Sequence, residues 1–116
     1  MSAITAHVLD ISRGHPAMGL VVILHVQSSG GPDDWIELGR AQTDNDGRVK
    51  NLLAAGAPIH KGTYRLIFET GAYFLAAFAE TFFPRVEVLF VVTDPTQHYH
   101  VPLLISPFGY TTYRGT

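Results

Sequence analysis

The sequence predicts an all-β fold, an antiparallel sandwich or barrel, from three observations. Short strand-like runs separated by Gly, Pro, Asp and Asn recur along the chain, the pattern of a protein built from many short strands. Tyr64, Leu66 and Phe68 alternate with Arg65, Ile67 and Glu69, the period of a strand with one wet face. Only one stretch, Ala72 to Glu80, has the composition and spacing of a helix.

Taken in order, Ile4 to Leu9 is the first predicted strand, stopped by Asp10 and the polar run to Gly14. Leu20 to Val26, rich in β-branched residues, is the second. Gly30-Gly31-Pro32-Asp33 marks a loop, and Trp35 to Gln42 is a third, less regular strand. Thr43-Asp44-Asn45-Asp46-Gly47 is a turn, because Asp and Asn bond their own backbone and Gly accepts positive φ. The alternating strand through Tyr64 to Phe68 follows. The expected helix, Ala72 to Glu80, is alanine-rich and sets Tyr73, Phe74, Ala77 and Phe78 on one stripe. It must end before Pro84, which disfavours helical geometry in the residue ahead of it. Val86 to Val92 and Val101 to Ile105 are two more strands, and Gly109 allows a bend into a last short one. There is no internal repeat and no low-complexity segment.

Leu20 to Val26 and Val86 to Val92 are apolar on both faces. A sheet with one face in water alternates more cleanly, so the second face calls for another layer or another subunit. A homo-oligomer is the expectation.

Length and composition narrow the function classes. A chain of 116 residues is the size of one domain, taken as residues 1–116. Apolar residues make up 47% and charged residues 16%, enough for a core and unlike a disordered chain. With a net charge of −2 and no Lys/Arg run, the chain cannot supply the basic stripe that nucleic acid requires, nor a basic membrane-surface helix. It has no cysteine, hence no disulfide and no thiol nucleophile. Met1-Ser2-Ala3-Ile4 does not read as the start of a signal peptide, so none is expected, and no apolar stretch reaches the ~20 residues of a membrane span. The expectation is a soluble cytoplasmic protein.

Six histidines are the chemical oddity of so short a chain, since imidazole titrates nearest to neutral pH. His7 lies in the first strand with Ala6 and Val8 facing the other way; alone, such a residue reads as structural. His15 and His60 read as solvated loop residues, and His25 ends an apolar strand without an evident partner. His98-Tyr99-His100 places two imidazoles on one side of a strand. That pair is a partial zinc site at most, because catalytic zinc takes three protein ligands and structural zinc four; no metal is expected. Arg48 follows the Asp46-Gly47 turn, where a guanidinium can hold a carboxylate, enolate or imide oxygen. Tyr113-Arg114-Gly115-Thr116 closes the chain with aromatic sequence running almost to its end, unlike a frayed tail. A terminal Thr carries both a hydroxyl and the chain's carboxylate.

The stretch HYHVPLLISPFGYTTYRGT, His98 to Thr116, resembles the C-terminal signature of the 5-hydroxyisourate hydrolases, which typically end in Tyr-Arg-Gly-Ser. The opening ITAHVLD, GHPA at Gly14 to Ala17, TDNDGR at Thr43 to Arg48 and FFPRVEV at Phe82 to Val88 are similar to that family in order and spacing. The resemblance implies a transthyretin-like sandwich of two four-stranded sheets with one short helix. It implies a homotetramer, a dimer of dimers with active sites in the channel between dimers. It also implies the catalytic set His7, Arg48, His100 and Thr116, with Tyr113, Arg114 and Gly115 in the substrate-binding tail. Thr116 stands where the family has Ser, keeping the hydroxyl with narrower rotamer freedom.

The implied reaction is hydrolysis of the ring amide of 5-hydroxyisourate, with no cofactor. One histidine takes a proton from water, and Arg48 offsets charge developing on oxygen. The residues leave open which imidazole is the base, with His100 favoured and His7 contacting substrate. Three alternatives compete: a transthyretin-type small-ligand carrier, a metal-dependent hydrolase built on His98 and His100, and a purely structural sandwich. A carrier has no need of a general base beside an arginine.

Overall fold

The computed structural model describes residues 2–116. Along the chain lie β1 (Ile4–Asp10), β2 (His15–Pro16), β3 (Val21–Gln27), β4 (Trp35–Gln42), β5 (Arg48–Val49), β6 (Gly62–Phe68), α1 (Thr70–Ala76), β7 (Val86–Val92), β8 (Tyr99–Ser106) and β9 (Gly109–Thr112). One sheet runs β2-β1-β8-β9 with β5 paired to β1 beside that path, and the other runs β4-β3-β6-β7. This is the expected two-sheet sandwich with one short helix, extended by the two-residue strand β5.

Alternation builds the core. On β1 it sends Ile4, Ala6 and Val8 inward, and on β8 Val101, Leu103 and Ile105. They meet Val22, Leu24, Tyr64, Leu66, Phe68, Val86 and Val92 of the other sheet, and Phe74 of the helix. Burying each large apolar side chain stabilises the fold by roughly 1.5–3 kcal/mol relative to exposure.

Two expectations need correction. The sheets are not wholly antiparallel: β1 and β8 pair in parallel, from Ile4 opposite Tyr99 to Asp10 opposite Ile105. Parallel neighbours need a long connection, and here the entire second sheet supplies it. The helix also begins and ends earlier than Ala72 to Glu80. Its last turn closes with Phe78 N–H donating to the Leu75 carbonyl at 3.0 Å and Ala79 N–H to the Phe74 carbonyl at 2.9 Å. This paired closure puts the intervening residue in the left-handed region, and Phe78 has φ +56°. Phe78 is therefore fully exposed at 100%, off the expected stripe, while Phe74 remains buried.

The faces turned away from the core differ. On β7, Leu89 and Val91 are exposed at 60% and 59%, so its second apolar face is uncovered within one chain. The outer face of β3 and β6 is instead polar near its end. Arg65 Nε donates to His25 Nδ1 at 3.0 Å, which gives His25 the partner its sequence context did not reveal. Phe68 lies fully buried between the sheets. Phe68→Ala should lower unfolding free energy by about 3–5 kcal/mol, read by urea denaturation; a change under about 1 kcal/mol would contradict the packing described.

Candidate active site

Three adjacent strands, β5, β1 and β8, bring the candidate residues together on the outer face of one sheet. With Ala6 and Val8 pointing into the core, Thr5 and His7 point outward. Register then sets Thr5 beside His100 and His7 beside Pro102 on one flank, and His7 beside Arg48 on the other. The His7 and His100 ring centroids are 6.5 Å apart. His98 and His100 share a side as expected, their rings nearly parallel at 15° with centroids 6.4 Å apart.

The turn before β5 positions Arg48. Asp44 Oδ1 accepts from the backbone N–H of Asp46 at 2.9 Å and of Arg48 at 3.0 Å. These bonds, that of Arg48 foremost, hold the Asp44 carboxyl below its usual range. Gly47 has φ +76°, and a Cβ there would lie 2.2 Å from the Val8 carbonyl oxygen, so the turn docks against β1 only with glycine at this point. The Asp46 carbonyl also meets His7 Nε2 at 2.9 Å. A carbonyl only accepts, so this bond makes Nε2 the protonated nitrogen of His7.

The tail closes the other side. Gly115 N–H donates to the His100 carbonyl at 2.8 Å. A Cβ at Gly115 would lie 2.6 Å from His100 Cδ2, so only a bare backbone fits against that ring. Arg114 does not turn into the cleft: it donates to Gln97 Oε1 at 2.9 Å and lies 4.5 Å over the Tyr99 ring.

The result is a cleft of about 360 Å³ walled by Thr5, Arg48, Lys50, His98, His100 and Thr116. Of the expected catalytic residues, Arg48, His100 and Thr116 share this wall, and His7 adjoins it through its contact with the His100 ring. Tyr113 lies instead in a neighbouring groove of about 240 Å³, with Leu89, Val91, Tyr99 and His100. His100 thus stands between the two. Partial burial, reinforced by Arg48, His7 and His98, pushes its pKa below the ordinary 6.5, leaving a neutral imidazole able to accept a proton at neutral pH.

Thr5 and Lys50 were missed from sequence, although strand period offered a signal: each lies two residues from a residue already singled out, His7 and Arg48. The His98–His100 pair converges on the Thr5 hydroxyl. No group of three or more His, Cys, Asp or Glu suited to a metal occurs among the described residues.

Gly115→Ala should lift the tail from His100. The residue-115 amide would then lose hydrogen-exchange protection and the His100 ring resonances would shift. Unchanged protection and shifts would contradict the close packing.

The profile of the HIUase/Transthyretin family matches residues 4–115. A probable 5-hydroxyisourate hydrolase of Caenorhabditis elegans is 46% identical over 115 residues, covering 99% of this chain and 82% of its own. The structure of Klebsiella pneumoniae 5-hydroxyisourate hydrolase superposes with a TM-score of 0.84 at 39% identity, over 97% of this chain and 98% of that one. Transthyretin from Sparus aurata superposes with a TM-score of 0.88 at 29% identity, over 99% and 97%. The chain therefore belongs to the HIUase/Transthyretin family, and it stands with the hydrolases of that family.

Proposed function

We propose that this protein hydrolyses 5-hydroxyisourate to 2-oxo-4-hydroxy-4-carboxy-5-ureidoimidazoline in urate degradation. The observation that carries the reading is the meeting of Arg48, a neutral-biased His100 and Thr116 on one cleft. The hydrolase names of the relatives supply the substrate.

In this mechanism His100 Nε2 takes a proton from water as the oxygen attacks C6 of the ring amide. Arg48 offsets the negative charge that develops on the carbonyl oxygen. The N1–C6 bond breaks, and the proton held by His100 passes to the departing nitrogen. His7, tied through Nε2 to the Asp46 carbonyl, contacts substrate and is not the base. The Thr116 hydroxyl orients the water, and the tail contains the substrate. Hydrolysis involves no redox step, so no cofactor enters.

We further propose a single catalytic domain over residues 1–116 in a cytoplasmic homotetramer. The exposed Leu89 and Val91 of β7, beside Tyr113 and His100 in the second groove, support closure of the site by a second copy. Among the described residues no helix is long and apolar enough to cross a membrane.

A small-ligand carrier is the competing reading, favoured by the 0.88 TM-score to transthyretin. Backbone likeness does not fix function. A wall carrying Arg48, Lys50, His98 and His100 suits a polar, charge-developing reaction better than passive storage of an aromatic ligand.

His100→Ala should lower kcat/KM by about 10²- to 10⁴-fold, the share of a positioned base. Arg48→Glu should cost at least about 10²-fold. Both variants should keep their fold by circular dichroism; wild-type rates in both would remove the site assignment. The base works unprotonated, so kcat/KM should rise with pH through the His100 titration and level off above it. That acid limb should centre below 6.5, the ordinary histidine value from which burial depresses His100. A limb centred above 6.5 would contradict His100 as the base.

A further inference from the structure

One hydroxyl lies between the two imidazoles of the His98–His100 pair. Thr5 is only 4% exposed, and the parallel register sets it directly opposite His100. Its Oγ1 is 2.8 Å from His100 Nδ1 and 3.2 Å from His98 Nε2. A hydroxyl has one proton and lone pairs to accept another. When its single proton goes to one ring nitrogen it accepts from the other, and the protonation of the two rings is then correlated. Two arrangements satisfy this, and they differ in which nitrogen of His100 carries its proton.

We propose that Thr5 is a positioning residue that holds His100 as its Nδ1–H tautomer and couples it to His98 through the shared hydroxyl. The hydrogen-bond contacts stand without the hydrolase reading, which supplies the choice between the two arrangements and their use. His100 Nδ1–H donates to Thr5 Oγ1, and the Thr5 O–H donates to His98 Nε2. His100 Nε2 is then a bare lone pair, the form a general base must have. The opposite arrangement would put the proton on Nε2 and leave the site without that base.

The coupling also gives the positive charge somewhere to go. When His100 Nε2 takes a proton from water, the Nδ1 proton can move to Thr5 Oγ1 as the Thr5 proton moves to His98 Nε2. His100 becomes neutral and the charge passes to His98, which is exposed at the rim. The reverse movement restores the His100 imidazolium, whose Nε2 proton leaves with the ring nitrogen. Both imidazoles end neutral, as they began. Each transfer is between groups already in hydrogen-bond contact, so no side chain has to move.

The test is nitrogen NMR of histidine-labelled, substrate-free protein above the His100 titration. The wild type should show His100 protonated at Nδ1 and bare at Nε2. Thr5→Val, which keeps the shape and removes the hydroxyl, should return His100 to a mixture rich in the Nε2–H form, and Thr5→Ser should restore the wild-type pattern. In turnover, Thr5→Val should lower kcat by roughly tenfold to a hundredfold, the usual effect of removing an orienting partner, with KM little changed; Thr5→Ser should recover it. An Nε2–H tautomer in the wild type would overturn the proposal, even if the valine variant failed to fold. So would a valine variant with the wild-type spectrum. The spectra need no substrate, so the expected tautomers in a protein that does not hydrolyse 5-hydroxyisourate would count against the substrate and leave the coupling standing.

Discussion

The parallel ladder between β1 and β8 is the constraint on which the site depends. Its seven paired positions, Ile4 with Tyr99 through Asp10 with Ile105, join residues far apart in sequence. Each strand serves two purposes at once. Ala6, Val8, Val101 and Leu103 face inward and are buried, while Thr5, His7 and His100 face outward to the site. Because side-chain period in a strand is two, a one-residue slip would turn histidine into the core and valine into the cleft. Core packing and site geometry are therefore held by the same register.

Around that ladder, two segments without long secondary structure complete the cleft. The Thr43–Arg48 turn docks on β1 through Val8 N–H to the Gly47 carbonyl at 2.7 Å, which fixes where Arg48 emerges. The tail docks on β8 through Gly115. In both places glycine is used for close approach, against the Val8 carbonyl and against the His100 ring. This division explains how one sandwich can resemble both a transthyretin and a hydrolase. The sheets set the backbone, and TM-scores of 0.88 and 0.84 hardly separate the two; in the proposed reading the outward-facing residues and the tail carry the chemistry.

Local signals made much of this legible in the sequence. The span Val86–Val92 follows from a valine-rich run, Trp35–Gln42 from the turn residues on either side of it, and the Asp44-to-Gly47 turn from its own side-chain chemistry. Alternation alone set His98 and His100 on one side. What was not legible depends on distant partners. β2 and β5 are two residues each, too short for any periodicity, and exist because β1 offers them an edge. The parallel sense of β1 and β8 has no local mark. Thr5 looked like an ordinary strand residue until register set it against His100, and His25 had no visible partner until β6 brought Arg65 alongside. The helix ended early because Phe78 adopts a conformation that sequence assigns to glycine. The family resemblance along the chain, not any local rule, pointed to His7, Arg48, His100 and Thr116 as one group.

The most direct measurement generates 5-hydroxyisourate in place with urate oxidase and follows its ultraviolet absorbance with and without this protein, with a chelator in a parallel run. The account predicts decay well above the spontaneous rate and unaffected by the chelator. Decay at the spontaneous rate would contradict the hydrolase reading and return the carrier to first place, and loss of activity with the chelator would move the chemistry from the His100 base to a metal.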